Sequence, residues 1–289
     1  MDWQLLAEEL ARQAGMPAAE VHVKPVAGGD INRAFRVRIG DETCFVKTNR
    51  AQQLSMFEAE RAGLDAMRAS NAIRVPEVYL TGSQGDEAYI AMEYIELGGR
   101  AQPERLAQAL AAMHHCCHTR FGFDCDNTIG STPQHNPYSD DWIEFWRLHR
   151  LEFQLRLAER NGQDAGLIDS GLRLAERLGD YFDGYQPRAS LLHGDLWGGN
   201  QAADAAGNPV IYDPACYYGD HEADLAMMEL FGHPGERFFA TYRERFPIDP
   251  GYRERRGLYN LYHVLNHANL FGGGYGAQAL RMIERLLQR

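Results

Sequence analysis

A chain of 289 residues, 45% hydrophobic and 24% charged, has the make-up of an ordinary globular protein and is long enough for one large domain or two lobes. Its formal charge of -11 argues against nucleic acid or an anionic membrane surface as the main partner. No apolar run approaches the ~20 residues that span a bilayer. The start Met1-Asp2-Trp3-Gln4-Leu5-Leu6 lacks the pattern of a signal peptide, and five cysteines in no regular framework point to reduced thiols in the cytoplasm.

Asp2 is placed to cap an amphipathic helix that ends near Gly15, with Leu5, Leu6 and Leu10 on one face. Residues 21–27, 34–39 and 44–48 read as strands, joined by Gly28-Gly29-Asp30 and Gly40-Asp41-Glu42. A helix over 54–67 follows, then a strand after Pro76. The run Ala88-Tyr89-Ile90-Ala91-Met92-Glu93-Tyr94 reads as a buried strand leading into Gly98-Gly99. From Pro103 onward helical patterns dominate. This predicts an N-terminal lobe over 1–95 and a C-terminal lobe over 96–289, with a cleft between them and a hinge around 94–99.

Two features of the helical part invite specific readings. Trp142, Phe145, Trp146, Leu148, Leu151 and Leu155 follow helical spacing, as core packing requires. His114-His115-Cys116-Cys117-His118 offers two histidines at i, i+4, but no second ligand cluster accompanies them. The stretch is read as a packed helix end with exposed histidines, not as a metal site.

The chemistry concentrates in His193-Gly194-Asp195-Leu196-Trp197-Gly198-Gly199-Asn200 and in Ile211-Tyr212-Asp213-Pro214-Ala215. An Asp, an Asn five residues later and a second Asp after a short apolar run match the spacing by which kinase loops orient a hydroxyl and hold magnesium. Asp195 is the candidate catalytic residue, and Asn200 and Asp213 are the candidate Mg²⁺ ligands, their oxygens suiting a hard cation. His193, Asp220 and Asp224 are read as supports for the loop.

Upstream, Lys47 ends an apolar strand and could neutralise ATP phosphates if a carboxylate fixes it. On the next helix Phe57, Glu60, Arg61, Leu64 and Met67 share a face, whereas Glu58 points elsewhere, so Glu60 is the expected partner of Lys47. Gly28 and Gly29 would let backbone amides approach the phosphates. Glu93 to Ile95, at the lobe junction, could offer backbone groups to adenine.

These residues resemble the fructosamine kinase (ketosamine-3-kinase) family, whose structural relatives are aminoglycoside phosphotransferases and choline kinases. The resemblance rests on His193-Gly194-Asp195-Leu196-Trp197 with Asn200, and on Asp213-Pro214-Ala215-Cys216-Tyr217-Tyr218-Gly219-Asp220 continuing through Met227. Phe121-Gly122-Phe123-Asp124, Asp126-Asn127-Thr128-Ile129-Gly130, Leu265-Asn266-His267 and Leu270-Phe271-Gly272-Gly273 extend it over nearly the whole chain. It implies an α+β, bilobal protein-kinase-like fold, with an antiparallel sheet and a helix in the first lobe and a mostly helical second lobe. It also implies ATP- and Mg²⁺-dependent phosphorylation of the 3-hydroxyl of a ketosamine, a small glycated amine or glycated lysine. In that family the 3-phosphate breaks down and frees the amine. Trp197 would line the acceptor site, with Asn127, Tyr218 and His267 as further substrate candidates. The residues leave open a kinase for another amino-sugar or amino-alcohol, such as an aminoglycoside. A nucleotide-binding pseudokinase is disfavoured because Lys47, Asp195, Asn200 and Asp213 are all present.

Overall fold

The computed structural model describes residues 1–15, 19–27 and 31–289. Helix α1 (Trp3–Ala14) starts where the Asp2 carboxylate accepts the amides of Gln4 and Leu5. Leu6, Ala7 and Leu10 are buried, but Leu5, expected beside them, is 43% exposed. At about 100° per residue Leu6, Ala7 and Leu10 share one arc, and Leu5 falls a further 100° beyond Leu6, on the side away from Ala7 and toward solvent.

Strands β1 (Val21–Val26), β2 (Arg33–Ile39), β3 (Glu42–Arg50), β4 (Val78–Gln84) and β5 (Glu87–Glu93) form an antiparallel sheet in the order β1-β2-β3-β5-β4. Strand alternation divides its side chains between two faces. Val37, Ile39, Cys44, Val46, Tyr89 and Ala91 pack with α1. Ala88, Ile90 and Met92 face the other way and pack with Phe57, Leu64 and Met67 of α2 (Leu54–Ala69). By the same alternation Lys47 falls on the α2 side. Arg61, expected on the inward stripe, instead pairs with Asp65 at the half-exposed edge of α2.

The apolar layer under α2 continues without a break into the helical region. Only residues 94–96 separate β5 from β6 (Leu97–Gly99), followed by α3 (Pro103–His114) and the hairpin of β7 (Asn127–Ile129) and β8 (Thr132–Gln134). Helices α4 (Trp142–Trp146) and α5 (Phe153–Arg160) are joined by a π-helical turn, and α6 (Ala165–Glu176) follows. Trp142, Phe145, Trp146, Leu151 and Leu155 are buried, as a packed stripe requires. Strands β9 (Ser190–Leu192), β10 (Gln201–Asp204), β11 (Pro209–Ile211) and β12 (Tyr217–Gly219) bracket the catalytic motif. Strand β9 pairs with β12, while β6, β10 and β11 form a three-stranded sheet. Helices α7 (Glu222–Leu230), α8 (Glu236–Arg245), α9 (Tyr252–Phe271) and α10 (Tyr275–Leu287) complete the chain, with α9 buried along most of its length. Among the described residues no helix is long and apolar enough to cross a membrane.

Candidate active site

The β9–β12 ribbon presents the loop that begins at His193. Asp224, in the first turn of α7, accepts the amide of His193 at 2.7 Å and that of Gly194 at 2.8 Å. Burial pushes the Asp224 carboxyl up, but hydrogen bonds and charge from His114 and His193 outweigh it and hold the pKa below the usual range. His193 is fully buried and works from both ring nitrogens. Nδ1 accepts the Asp195 amide at 3.2 Å and Nε2 donates to the Tyr212 carbonyl at 2.9 Å. Those partners fix the neutral tautomer, and burial lowers the imidazole pKa.

Gly194 has φ 80°, and a Cβ there would lie 2.0 Å from the Ala215 carbonyl oxygen. The loop therefore needs glycine between His193 and Asp195, because the segment after Asp213 crosses directly against it. The Ala215 amide in turn donates to the His193 carbonyl at 2.9 Å.

Asp195 is half-buried, and its carboxyl is pushed up to about 7 by burial, with the Asp213 charge adding and Asn200 opposing. Asn200 Nδ2 donates to the Asp195 carbonyl at 2.9 Å and to Asp195 Oδ2 at 3.3 Å. That orientation turns Asn200 Oδ1 away, and it takes no hydrogen bond among the described residues. Asp213 has a φ of 57°, a conformation non-glycine residues rarely adopt and one that marks functional strain. Its side chain is half-exposed and reaches Lys47 at 2.5 Å.

Lys47 Nζ lies 2.7 Å from Glu60 Oε1, the partner expected from the phase of α2, while Glu58 is exposed. Burial pulls the Lys47 pKa down, but the charges of Glu60 and Asp213 outweigh it and keep the ammonium charged. Five of the candidate residues thus form one chain of contacts, Glu60–Lys47–Asp213 on one side and Asn200–Asp195 on the other, with Asn200 Nδ2 also 3.4 Å from the Asp213 carbonyl.

The donor set suits a hard divalent cation. Asn200 Oδ1 and the Asp213 carboxylate are the oxygens that could be offered to it. Among the described residues no three His, Cys, Asp or Glu side chains converge. The protein side chains would thus supply two ligands and leave the rest to phosphate and water.

The remaining sequence candidates are more scattered. Gly28 and Gly29 lie outside the described residues. The Glu93 amide already donates to the Glu77 carbonyl at 2.8 Å, which takes it out of reach of a ligand. Residues 94–96, including Ile95, make no backbone hydrogen bond among the described residues and leave an open edge. Trp197 is 40% exposed, with its ring across the loop so closely that a Cβ on Gly199 would sit 2.3 Å from it. Tyr218 makes tilted ring contacts with His118 and Phe123. His267 sits among Phe231, Phe271 and Tyr275, with Nδ1 bonded to the His263 carbonyl at 2.7 Å.

Asn127 is buried rather than presented to the cleft. Its Nδ2 donates to the Cys216 carbonyl at 2.7 Å, and its Oδ1 accepts from Gln134. Gln134 also holds the Ala215 carbonyl at 3.1 Å and accepts from Tyr262. This pair positions the segment after Asp213, a role that spacing alone does not reveal. The histidine-rich helix end also differs from expectation. His114 is fully buried, bonded to Tyr242 Oη at 2.6 Å and to Asp224 at 3.2 Å, and so supports the carboxylate that holds the catalytic loop.

Comparison with known proteins agrees across the whole chain. The fructosamine kinase family matches residues 2–289. A probable ketoamine kinase of Synechocystis is 44% identical over 99% of this chain and 97% of its own length. A chloroplastic protein-ribulosamine 3-kinase of rice is 46% identical over 92% of this chain and 79% of its own. A solved protein from Haemophilus somnus, assigned as a fructosamine-3-kinase, superposes with a TM-score of 0.89 at 28% identity, covering 98% of this chain and 96% of that one.

Proposed function

The chain belongs to the fructosamine kinase family, and from that premise we propose that it transfers the γ-phosphoryl group of ATP to the 3-hydroxyl of a ketosamine. The observation that carries this reading is the continuous set of contacts from Glu60 through Lys47, Asp213 and Asn200 to Asp195, groups whose chemistry suits binding phosphate, holding a cation and accepting a proton.

In this reading residues 1–95 form the nucleotide lobe and residues 96–289 the catalytic lobe. The open backbone edge at 94–96 faces adenine, and Lys47, held by Glu60, neutralises phosphate charge. Bound Mg²⁺ would neutralise charge developing on the transferred group and the leaving ADP. Asn200 and Asp213 would hold that cation. Asp195 orients the acceptor hydroxyl and takes its proton as the O3–P bond forms and the bond from Pγ to the bridging oxygen breaks. Burial, with the Asp213 charge adding, raises the Asp195 carboxyl to about 7, a range suited to that exchange, and a cation held at Asp213 would remove part of the elevation. Trp197, Tyr218 and His267 supply aromatic surface for the sugar and amine parts of the acceptor. Five unpaired cysteines fit a reducing, cytoplasmic setting.

The test is a panel of glycated amines, fructoselysine and ribuloselysine first, scored by ADP release with Mg²⁺-ATP. Turnover of one or both is expected. Turnover of an aminoglycoside or simple amino-alcohol with neither ketosamine used would overturn the acceptor assignment.

A further inference from the structure

One arginine outside the catalytic motif is bonded to three strands near residues 94–96, namely β5, β10 and β11. The Arg74 guanidinium donates from one nitrogen to Asp204 Oδ2 at 2.6 Å and from another to Glu93 Oε1 at 2.7 Å. Glu93 is the last residue of β5, immediately before the open edge at 94–96. Asp204 ends β10, which starts directly after Asn200 and pairs with β6 just beyond that edge. The Arg74 carbonyl accepts the Ile211 amide at 3.0 Å, and Ile211 lies two residues before Asp213. A single residue is therefore bonded to the strand before the hinge, to the strand after Asn200 and to the strand before Asp213.

We propose that Arg74 is an interlobe positioning residue that sets where the adenine-facing edge at 94–96 stands relative to the metal-binding pair Asn200 and Asp213. A guanidinium can do this because its planar fork engages two carboxylates at fixed directions, where an ammonium is a point charge. Both carboxylates are themselves fixed. Asp204 also accepts the amides of Ala206 and Asn208, and Glu93 Oε2 lies 3.4 Å from the Glu77 amide. The Arg74 and Glu93 side chains are 41% and 29% exposed, so that arm of the bridge contributes little to stability, whereas Asp204 is 6% exposed and anchors the other arm. On the outer side Arg74 lines a groove of about 350 Å³ together with Arg68, Asn71, Glu77 and Glu93.

The inference rests on the reading that ATP binds along residues 94–96, and ADP binding by the unaltered protein tests that reading separately. Given such binding, Arg74→Ala is expected to raise the ADP Kd and the ATP KM about tenfold, with kcat at saturating ATP within about twofold and the ketosamine KM unchanged. Arg74→Lys recovers part of the loss, and Glu93→Ala added to Arg74→Ala costs little more. An Arg74→Ala protein with ADP Kd within twofold of the unaltered chain overturns the proposal. So does a fall in kcat with ATP KM unchanged, or full additivity of the two alanines. If Arg74→Ala does not fold, Arg74→Lys against the unaltered chain carries the same comparison. No ADP binding by the unaltered protein would instead sink the nucleotide reading itself.

Discussion

On the phosphate wall of the cleft, Glu60, Lys47, Asp213, Asn200 and Asp195 are linked by polar contacts of 2.5 to 3.4 Å. On the proposed acceptor side, Trp197 is 40% exposed and Phe271 beside His267 is 59% exposed, and no hydrogen bond or ring contact joins Trp197, Tyr218 and His267 to one another among the described residues. The difference follows from what each wall has to do. Phosphoryl transfer needs charges fixed before the reaction, and a charge withdrawn from water must be paired. Choosing an acceptor needs apolar faces of the right shape, which can stay open to solvent until the ligand covers them.

That contrast can be broken experimentally, most severely at Asp195. Asp195→Asn, with the fold retained, is expected to lower kcat about 10²- to 10⁴-fold, the scale of general acid–base catalysis. Asp213→Asn should act comparably, and wild-type turnover in either variant removes that residue from the mechanism. Glu60→Gln leaves Asp213 as the one charged partner of Lys47 and should cost roughly 2 kcal/mol in kcat/KM for ATP, about thirtyfold, because the charge of a largely buried ion pair is lost. An ATP kcat/KM within twofold of the unaltered chain would show that Glu60 does not position Lys47. Trp197→Ala should raise the ketosamine KM about tenfold while leaving the ATP KM within twofold. Equal effects on both substrates would mean that the two walls are not separable.

The smallest effect lies behind the acceptor wall. His263, one turn from His267 on α9, is buried, and that burial lowers its pKa from the ordinary 6.5 to about 3. Between those values the unfolded chain binds the extra proton, so this contribution to stability is present above pH 6.5 and is lost as pH falls toward 3. The slope is about 1.4 kcal/mol per pH unit. Denaturant unfolding at pH 7 and pH 5 should show it, and His263→Gln should flatten the dependence by about that amount. An unchanged slope in the variant would mean that His263 carries no such linkage.

The phosphate wall was legible because its information is local. Strand alternation puts Lys47 on the α2 side, helical phase turns Glu60 toward it, and Asp195, Asn200 and Asp213 lie within one short stretch. Of the supports, His193 and Asp224 were legible from the motif, whereas those whose partners come from far along the chain were not. His114 lies 128 residues from Tyr242 and 110 from Asp224, and nothing in its histidine-rich surroundings separates a buried support from exposed surface. Asn127 meets Cys216 across 89 residues, and Arg74 meets Asp204 across 130. The α+β architecture follows from hydrophobic periodicity and the family motifs, whereas Leu5 and Arg61 show how a residue at the margin of a helical stripe falls on the solvent side.

The most direct test of the account is to follow Mg²⁺-ATP and fructoselysine by phosphorus NMR with the unaltered chain and with Asp195→Asn. The unaltered protein should build a phosphomonoester on the sugar 3-oxygen in step with ADP, and the variant should form almost none. ADP release with no sugar phosphoester, or an ester formed equally fast by Asp195→Asn, would contradict it.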